Sequence, residues 1–307
     1  MGHTTTTRTV AIRLLLPISL VAVSFIGGAA LQKSYGLGNL IKLLNPRHGT
    51  PPSCAVPDTY KGKLDIFILA GQSNMEGGGL PKEYVPLDTK NRVFVFPKKE
   101  YIWAVAREPL DGNMVGPGLA FAAELVQGNS TCAVGLVPCA AGGTNISKWQ
   151  RNLAESSLYG RCLMKSKGAS AMGNLAGILF LQGENDAEGK PDDHPHDWAR
   201  MFERFATDIR QDLREPNLPI ILAQIGQGNS PAWRSVQEQQ ASVKLDHYGF
   251  ITTADLPYNP GNIHFTTASQ MIIGKRFAEA YLKIAVPKTP PTSQPVPAPT
   301  QEDQSAN

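Results

Sequence analysis

The sequence predicts an α/β protein, a three-layer sandwich in which a mostly parallel sheet of five strands is covered by helices on both faces. Three observations lead there. First, apolar runs suited to strands buried on both sides occur at Leu64 to Ala70, Ala133 to Pro138, Gly177 to Gln182 and Pro219 to Ile225, with a weaker one at Tyr248 to Ala254. Second, helical patterns alternate with them at Gly118 to Gln127, Asp197 to Arg214, Ala232 to Leu245 and Ala268 to Ile284, and strands that alternate with helices form parallel sheets. Third, polar stretches follow three of the strands at once: GQSN at 71–74, AAGGTN at 140–145 and QGEND at 182–186. In an open α/β sheet the crevice at the carboxyl ends of the strands is where ligands bind. All three loops are expected to face it.

Beyond this domain, expected to span 62–286, the chain of 307 residues divides by composition. Arg8 and Arg13 precede a mostly apolar run from Leu14 to Leu31, and Gly28, Ala29 and Ala30 supply the small residues of a cleavage site. Residues 1–31 read as a signal peptide or a type II signal anchor, since the run is also about long enough to span a thin bilayer. Basic residues flank it on both sides, so charge does not separate the two. Residues 32–61 are rich in Pro and Gly and read as a stem. Residues 287–307 are Pro-rich and polar, and are expected to be disordered. The first fifty residues hold five basic side chains and no acid, so subtracting those five from 29 Lys and Arg leaves 24 against 26 Asp and Glu. That near-neutral body lacks the basic face of a nucleic-acid binder.

The cysteines suit a secretory compartment. Cys54, Cys132, Cys139 and Cys162 all follow the apolar run, and an even number in that setting points to two disulfides. A strand from Cys132 to Cys139 holds its ends roughly 23 Å apart at about 3.3 Å per residue, too far to bond. Cys54 then pairs with Cys132 and Cys139 with Cys162, or the pairing is crossed; the first is favoured. Asn129 opens an Asn-Ser-Thr sequon and is a candidate glycosylation site.

Hydrolysis of an acyl group needs a nucleophile, a base, an orienter for the base, and donors for the oxyanion. Ser73 offers a hydroxyl at a strand end, and His264 in IHFTT offers an imidazole just ahead of the last helix. The Ser73 amide and the Gly142-Gly143 turn offer backbone N–H groups, and Gln182 a side-chain amide. A turn serine is usually only a turn serine. The conjunction carries the reading. His194 and His196 flank a proline ahead of a helix and lack a third ligand, so neither a metal nor another cofactor is expected.

GQSNM at 71–75, VGPGLAFAAEL at 115–125, GLVPCAAGGTNISKW at 135–149, FLQGENDA at 180–187 and IHFTTASQMIIGKRFAEAY at 263–281 resemble the sialate O-acetylesterase-like carbohydrate esterases. That group includes the family 6 acetylxylan esterases and related plant proteins within the SGNH hydrolase superfamily. Five blocks in order are far more specific than any one motif. The resemblance implies a flavodoxin-like three-layer fold and deacetylation of acetylated carbohydrate without a metal. It makes Ser73 the nucleophile, His264 the base, and the Ser73 amide, Gly142, Gly143 and Gln182 the oxyanion donors. Trp149 belongs to one block and, with Gln72, Asn74 and Asn113, is a candidate for binding the sugar. Asn145 falls inside the same block and is expected to be unglycosylated. The chain departs from the family at Gly261, where an aspartate three residues before the histidine usually orients the ring. Glu184, Asp186 and Asp255 are the candidate substitutes, Glu184 preferred. A catalytically impaired carbohydrate-binding relative is the rival reading. The protein is expected to be a monomer.

Overall fold

The computed structural model describes residues 55–97, 101–188 and 197–285. The apolar segment at 14–31, most of the stem, the tail from 287, Cys54, His194 and His196 lie outside the described residues. Among those described, no helix is long and apolar enough to cross a membrane.

The strands are β1 Leu64–Gly71, β2 Val93–Val95, β3 Ala104–Val105, β4 Val134–Pro138, β5 Gly173–Leu181, β6 Ile220–Ala223 and β7 Tyr248–Ile251. The helices are α1 Ser73–Glu76, α2 Gly118–Gly128, α3 Leu158–Ala169, α4 Glu184–Glu188, α5 Trp198–Leu213, α6 Pro231–Ser242 and α7 Thr267–Ile284. They form a seven-stranded sheet in the order β3-β2-β4-β1-β5-β6-β7, parallel throughout except that β3 runs against β2. The five strands read from the sequence are β4-β1-β5-β6-β7, the doubly wound flavodoxin-like order. The expected count of five falls short by β2 and β3, the outer pair on one side of the sheet. With three and two residues respectively, β2 and β3 are too short to carry a periodic signal.

Burial explains why the central strands read as unbroken apolar runs. Along β1, Leu64, Ile66, Ile68 and Ala70 enter one core, which holds Cys162 and Leu163 of α3, Phe202 and Phe205 of α5 and Val236 of α6. Phe67 and Leu69 alternate with them into the other, with Leu119 and Phe121 of α2 and Ile273 and Phe277 of α7. Successive side chains of a strand point to opposite faces, and here both faces are dry. The sheet is thus the middle of three layers. α3 was not expected from the sequence; LYGRCLMKSKGA has two glycines and a weak apolar stripe, and the Ser157 hydroxyl caps it by accepting from the Gly160 amide at 2.9 Å.

β1 ends on Gly71, and nothing larger fits there. Its φ is +137°, and a Cβ on it would stand 2.0 Å from the Leu181 carbonyl oxygen of β5. The chain turns immediately, with the Gln72 amide donating to that same oxygen at 2.9 Å. Ser73 is therefore held at the end of the central strand by a backbone approach that excludes any side chain. Gly71→Ala combines a disfavoured φ with a backbone clash and should lower stability by roughly 3 kcal/mol or more, read as a shift in the midpoint of denaturant unfolding.

Candidate active site

The order of strand addition reverses at β1: β2, β3 and β4 lie on one side of it, and the strands from β5 onward on the other. The loops after β1, β4 and β5 meet at that switch point. Ser73 opens the one-turn helix α1. Its Oγ lies 2.9 Å from Nε2 of His264, which stands in the loop before α7. On the opposite side, a Cβ on Gly142 would come within 3.5 Å of both the Ser73 Cβ and Oε2 of Glu76. Gly142 and Gly143 are exposed at the rim, and Gly143 takes the left-handed conformation at φ +66°. Ser73, His264 and the Gly142-Gly143 turn are thus brought together as the sequence predicts.

The imidazole is held by its backbone. Asn74, fully buried, donates from Nδ2 to the Ile263 carbonyl at 3.0 Å and accepts the Phe265 amide on Oδ1 at 3.0 Å, which clamps the chain on both sides of His264. The Asn262 side chain accepts the His264 amide at 2.9 Å, and Asn259 donates to the Gly78 and Phe265 carbonyls at 2.9 and 3.2 Å. Asn74 is a scaffold for the histidine, and its burial removes it from any sugar.

The candidate acids lie elsewhere. Oε1 of Glu184 accepts the second Nδ2 hydrogen of Asn74 at 2.6 Å, so Glu184 supports the histidine loop at one remove, through Asn74. Both Asp186 oxygens accept the Ile146 amide, at 3.2 and 3.1 Å, and Oδ2 also takes a hydrogen from Gln182. Asp255 forms a two-pronged pair with Arg276 at 2.7 and 2.6 Å, which holds its carboxyl down at about 2. Among the described residues no carboxylate hydrogen-bonds the His264 ring. Gly261 sits at φ +68° with nothing within 4 Å of where its Cβ would be.

Three further expectations are corrected by burial. The Gln182 amide, fully buried, donates to the Thr144 carbonyl at 2.9 Å, to Asp186 and to Oε1 of Gln72 at 3.3 Å, while its oxygen accepts from Trp198 at 3.1 Å. Its hydrogens are spent on bracing the loops, so it is no oxyanion donor. Gln72 is buried beside it and also accepts the Asn185 amide at 3.4 Å, so it binds no sugar. Trp149 packs edge-on against Phe180 and Phe205, with ring centroids 5.6 and 5.7 Å away and no exposed surface. It belongs to the core. Asn113 is exposed, next to Gly112, whose Cβ would lie 3.8 Å from Glu76. Glu76 was missed by sequence reasoning: its half-buried carboxylate accepts the Gly142 amide at 3.1 Å. Only its place, three residues after Ser73 on a one-turn helix, hinted at that.

The fold and its likenesses define the class first, a carboxylic ester hydrolase on a doubly wound α/β sheet. The family model described as carbohydrate esterase, sialic acid-specific acetylesterase, matches residues 63–283, and the chain belongs to that family. It is similar to the probable carbohydrate esterase At4g34215 of Arabidopsis thaliana, 33% identical over 243 residues that cover 71% of this chain and 90% of the relative. The solved structure of the Arabidopsis protein superposes with a TM-score of 0.65 at 31% identity, covering 72% of this chain and 98% of that one. XAC1771, a carbohydrate acetylesterase from Xanthomonas citri, shares the fold at 20% identity and a TM-score of 0.58 over 72% of this chain and 56% of its own. NanS shares it at 17% identity and a TM-score of 0.57, over 73% and 98%.

Burial raises the Glu184 carboxyl from its ordinary 4.5 to about 7, against the bond from Asn74. Between those values the folded protein holds a proton that the unfolded chain has released, so stability falls as pH rises through the window and levels off above it. At ~1.4 kcal/mol per pH unit the whole effect is at most about 3.5 kcal/mol. Denaturant unfolding at pH 5 and pH 8 should lose about 1–3 kcal/mol less in Glu184→Gln than in the natural protein. Glu108, also pushed up to about 7 by burial, keeps its own share of the slope.

Proposed function

We propose that this protein is a serine carbohydrate O-acetylesterase that works through an acetyl-enzyme. The observation that carries the reading is the 2.9 Å approach of His264 Nε2 to Ser73 Oγ at the end of the central strand. His264 takes the hydroxyl proton as Oγ bonds to the acetyl carbon, and the carbonyl electron pair moves to oxygen. When that pair returns, the bond to the sugar oxygen breaks and His264 gives this oxygen the proton. Water then repeats the sequence on the acetyl-enzyme and releases acetate. The Ser73 amide and the Gly142-Gly143 turn supply the oxyanion donors, the Gly142 amide once Glu76 has released it.

A second reading, the catalytically impaired carbohydrate-binding relative, is favoured by the lack, among the described residues, of a carboxylate on the ring. Loss of the orienting acid weakens such a site without abolishing it, because the nucleophile, base and oxyanion donors remain. Acetate release from an aryl acetate and from acetylated xylan separates the readings. The natural protein should turn over, and Ser73→Ala and His264→Ala should each fall by roughly 10³-fold or more. An inactive natural protein that gains activity in Gly261→Asp would establish the binding relative instead.

The protein is further assigned to the secretory pathway as a monomer, with residues 14–31 as a cleaved signal or a type II anchor. Asn129, exposed at the end of α2, carries a glycan; Asn145, engaged by Asn185, does not. No disulfide joins any of the described cysteines in the structure, against the expectation of two; the side chains of Cys139 and Cys162 meet in a hydrogen bond instead, and burial pushes the Cys162 thiol up. We assign them to one disulfide, and Cys54 with Cys132 to another. Peptide mapping of the secreted, unreduced protein should recover 139 linked to 162; recovery of both as alkylated thiols would exclude that bridge.

A further inference from the structure

We infer that Glu76 sets the charge preference of the site, so that this enzyme acts on acetyl esters of neutral, hydroxyl-rich sugars and discriminates against sugars that bear a carboxylate. The inference rests on the esterase reading and narrows its substrate class.

Glu76 closes the single turn of α1 that begins at Ser73, and its carboxylate reaches across the crevice to the β4 loop. There its Oε2 accepts the Gly142 amide at 3.1 Å. The position of a Cβ on Gly142, 3.5 Å from that oxygen and 3.5 Å from the Ser73 Cβ, puts the carboxylate beside the nucleophile. The far wall is Gly112 of the loop that carries Asn113, within 3.8 Å of the Glu76 Cγ by the same measure. The side chain is half-buried between two rim loops, so its charge is only partly screened.

Two consequences follow from chemistry. An acetyl group on Ser73 needs Gly142 N–H for its oxyanion, so in the reacting complex the carboxylate must release that donor and turn to the bound sugar. A carboxylate accepts hydrogen bonds only, and a sugar's hydroxyls or amide N–H groups satisfy it. A second carboxylate on the substrate meets like charge in a partly desolvated crevice, which selects by repulsion. Glu76 is not required for bond breaking. It is a specificity-determining residue.

The test compares two acetyl esters, a neutral acetylated xylo-oligosaccharide and an O-acetylated N-acetylneuraminate. In the full-length protein kcat/KM should favour the neutral ester, and Glu76→Gln, which keeps the shape and a hydrogen-bond acceptor, should move the ratio toward the anionic ester by about tenfold. The shift in the ratio should shrink as salt is raised. A Glu76→Gln ratio equal to the natural one, or a natural preference for the anionic ester, would overturn the inference. Affinities of both intact esters for Ser73→Ala, measured with and without Glu76→Gln in the same chain, read the same discrimination without turnover. A preference there alongside no hydrolysis by the natural protein would remove the esterase reading and leave the charge preference standing. No preference there would remove the charge preference itself.

Discussion

The site depends on one close contact between β1 and β5. Because Gly71 has no side chain, the end of the central strand comes against the Leu181 carbonyl, where a Cβ would be 2.0 Å away. The turn that follows is then fixed at both ends, by Gln72 N–H on that carbonyl and by α1 closing on the Gln72 and Ser73 carbonyls. Ser73 and Gln182 are placed by the same contact from opposite strands. Gln182 in turn ties the β1 loop to the β4 loop through Gln72, Thr144 and Asp186. Behind it, Gln240 of α6 donates to the Gln182 carbonyl at 2.9 Å and accepts the Ile225 amide at 2.9 Å. The rim loops are thus parts of one buried amide network, in which an unsatisfied member would cost more than a satisfied one gains.

This network explains what the sequence makes legible and what it hides. The strand cores and four long helices can be read because burial on two faces, or on one, writes a period into residue type. β2, β3 and α3 leave too little pattern. At the site, Ser73, His264 and the Gly142-Gly143 turn are recognisable from the five ordered blocks. The roles of Gln72, Asn74, Gln182 and Glu184 are not, because a polar residue in a loop at a strand end reads the same whether it faces substrate or is buried behind it. Trp149 shows the same ambiguity for an aromatic residue: sugar platform and core ring are one residue type, and only its packing on Phe180 and Phe205 decides. Glu76 is hidden for the opposite reason, since its contact partner lies on another loop.

The arrangement around His264 shows how the described residues hold a histidine through its backbone, with none of their carboxylates on its ring. An orienting acid fixes the ring's rotation and tautomer and stabilises the imidazolium. Here Asn74 and Asn262 fix the backbone from Ile263 to Phe265, and Ser73 Oγ meets Nε2 from the front. The place of the ring is therefore set even though its outer nitrogen has no carboxylate among the described residues. What the clamp does not supply is charge: Glu184 ends on Asn74, and burial works against its charged form. The cost of that design falls on the stability of the imidazolium and not on its position. Among the described residues the ring thus has its position from the backbone clamp and no carboxylate to stabilise its charged form, and that charge is the component a carboxylate at position 261 would add.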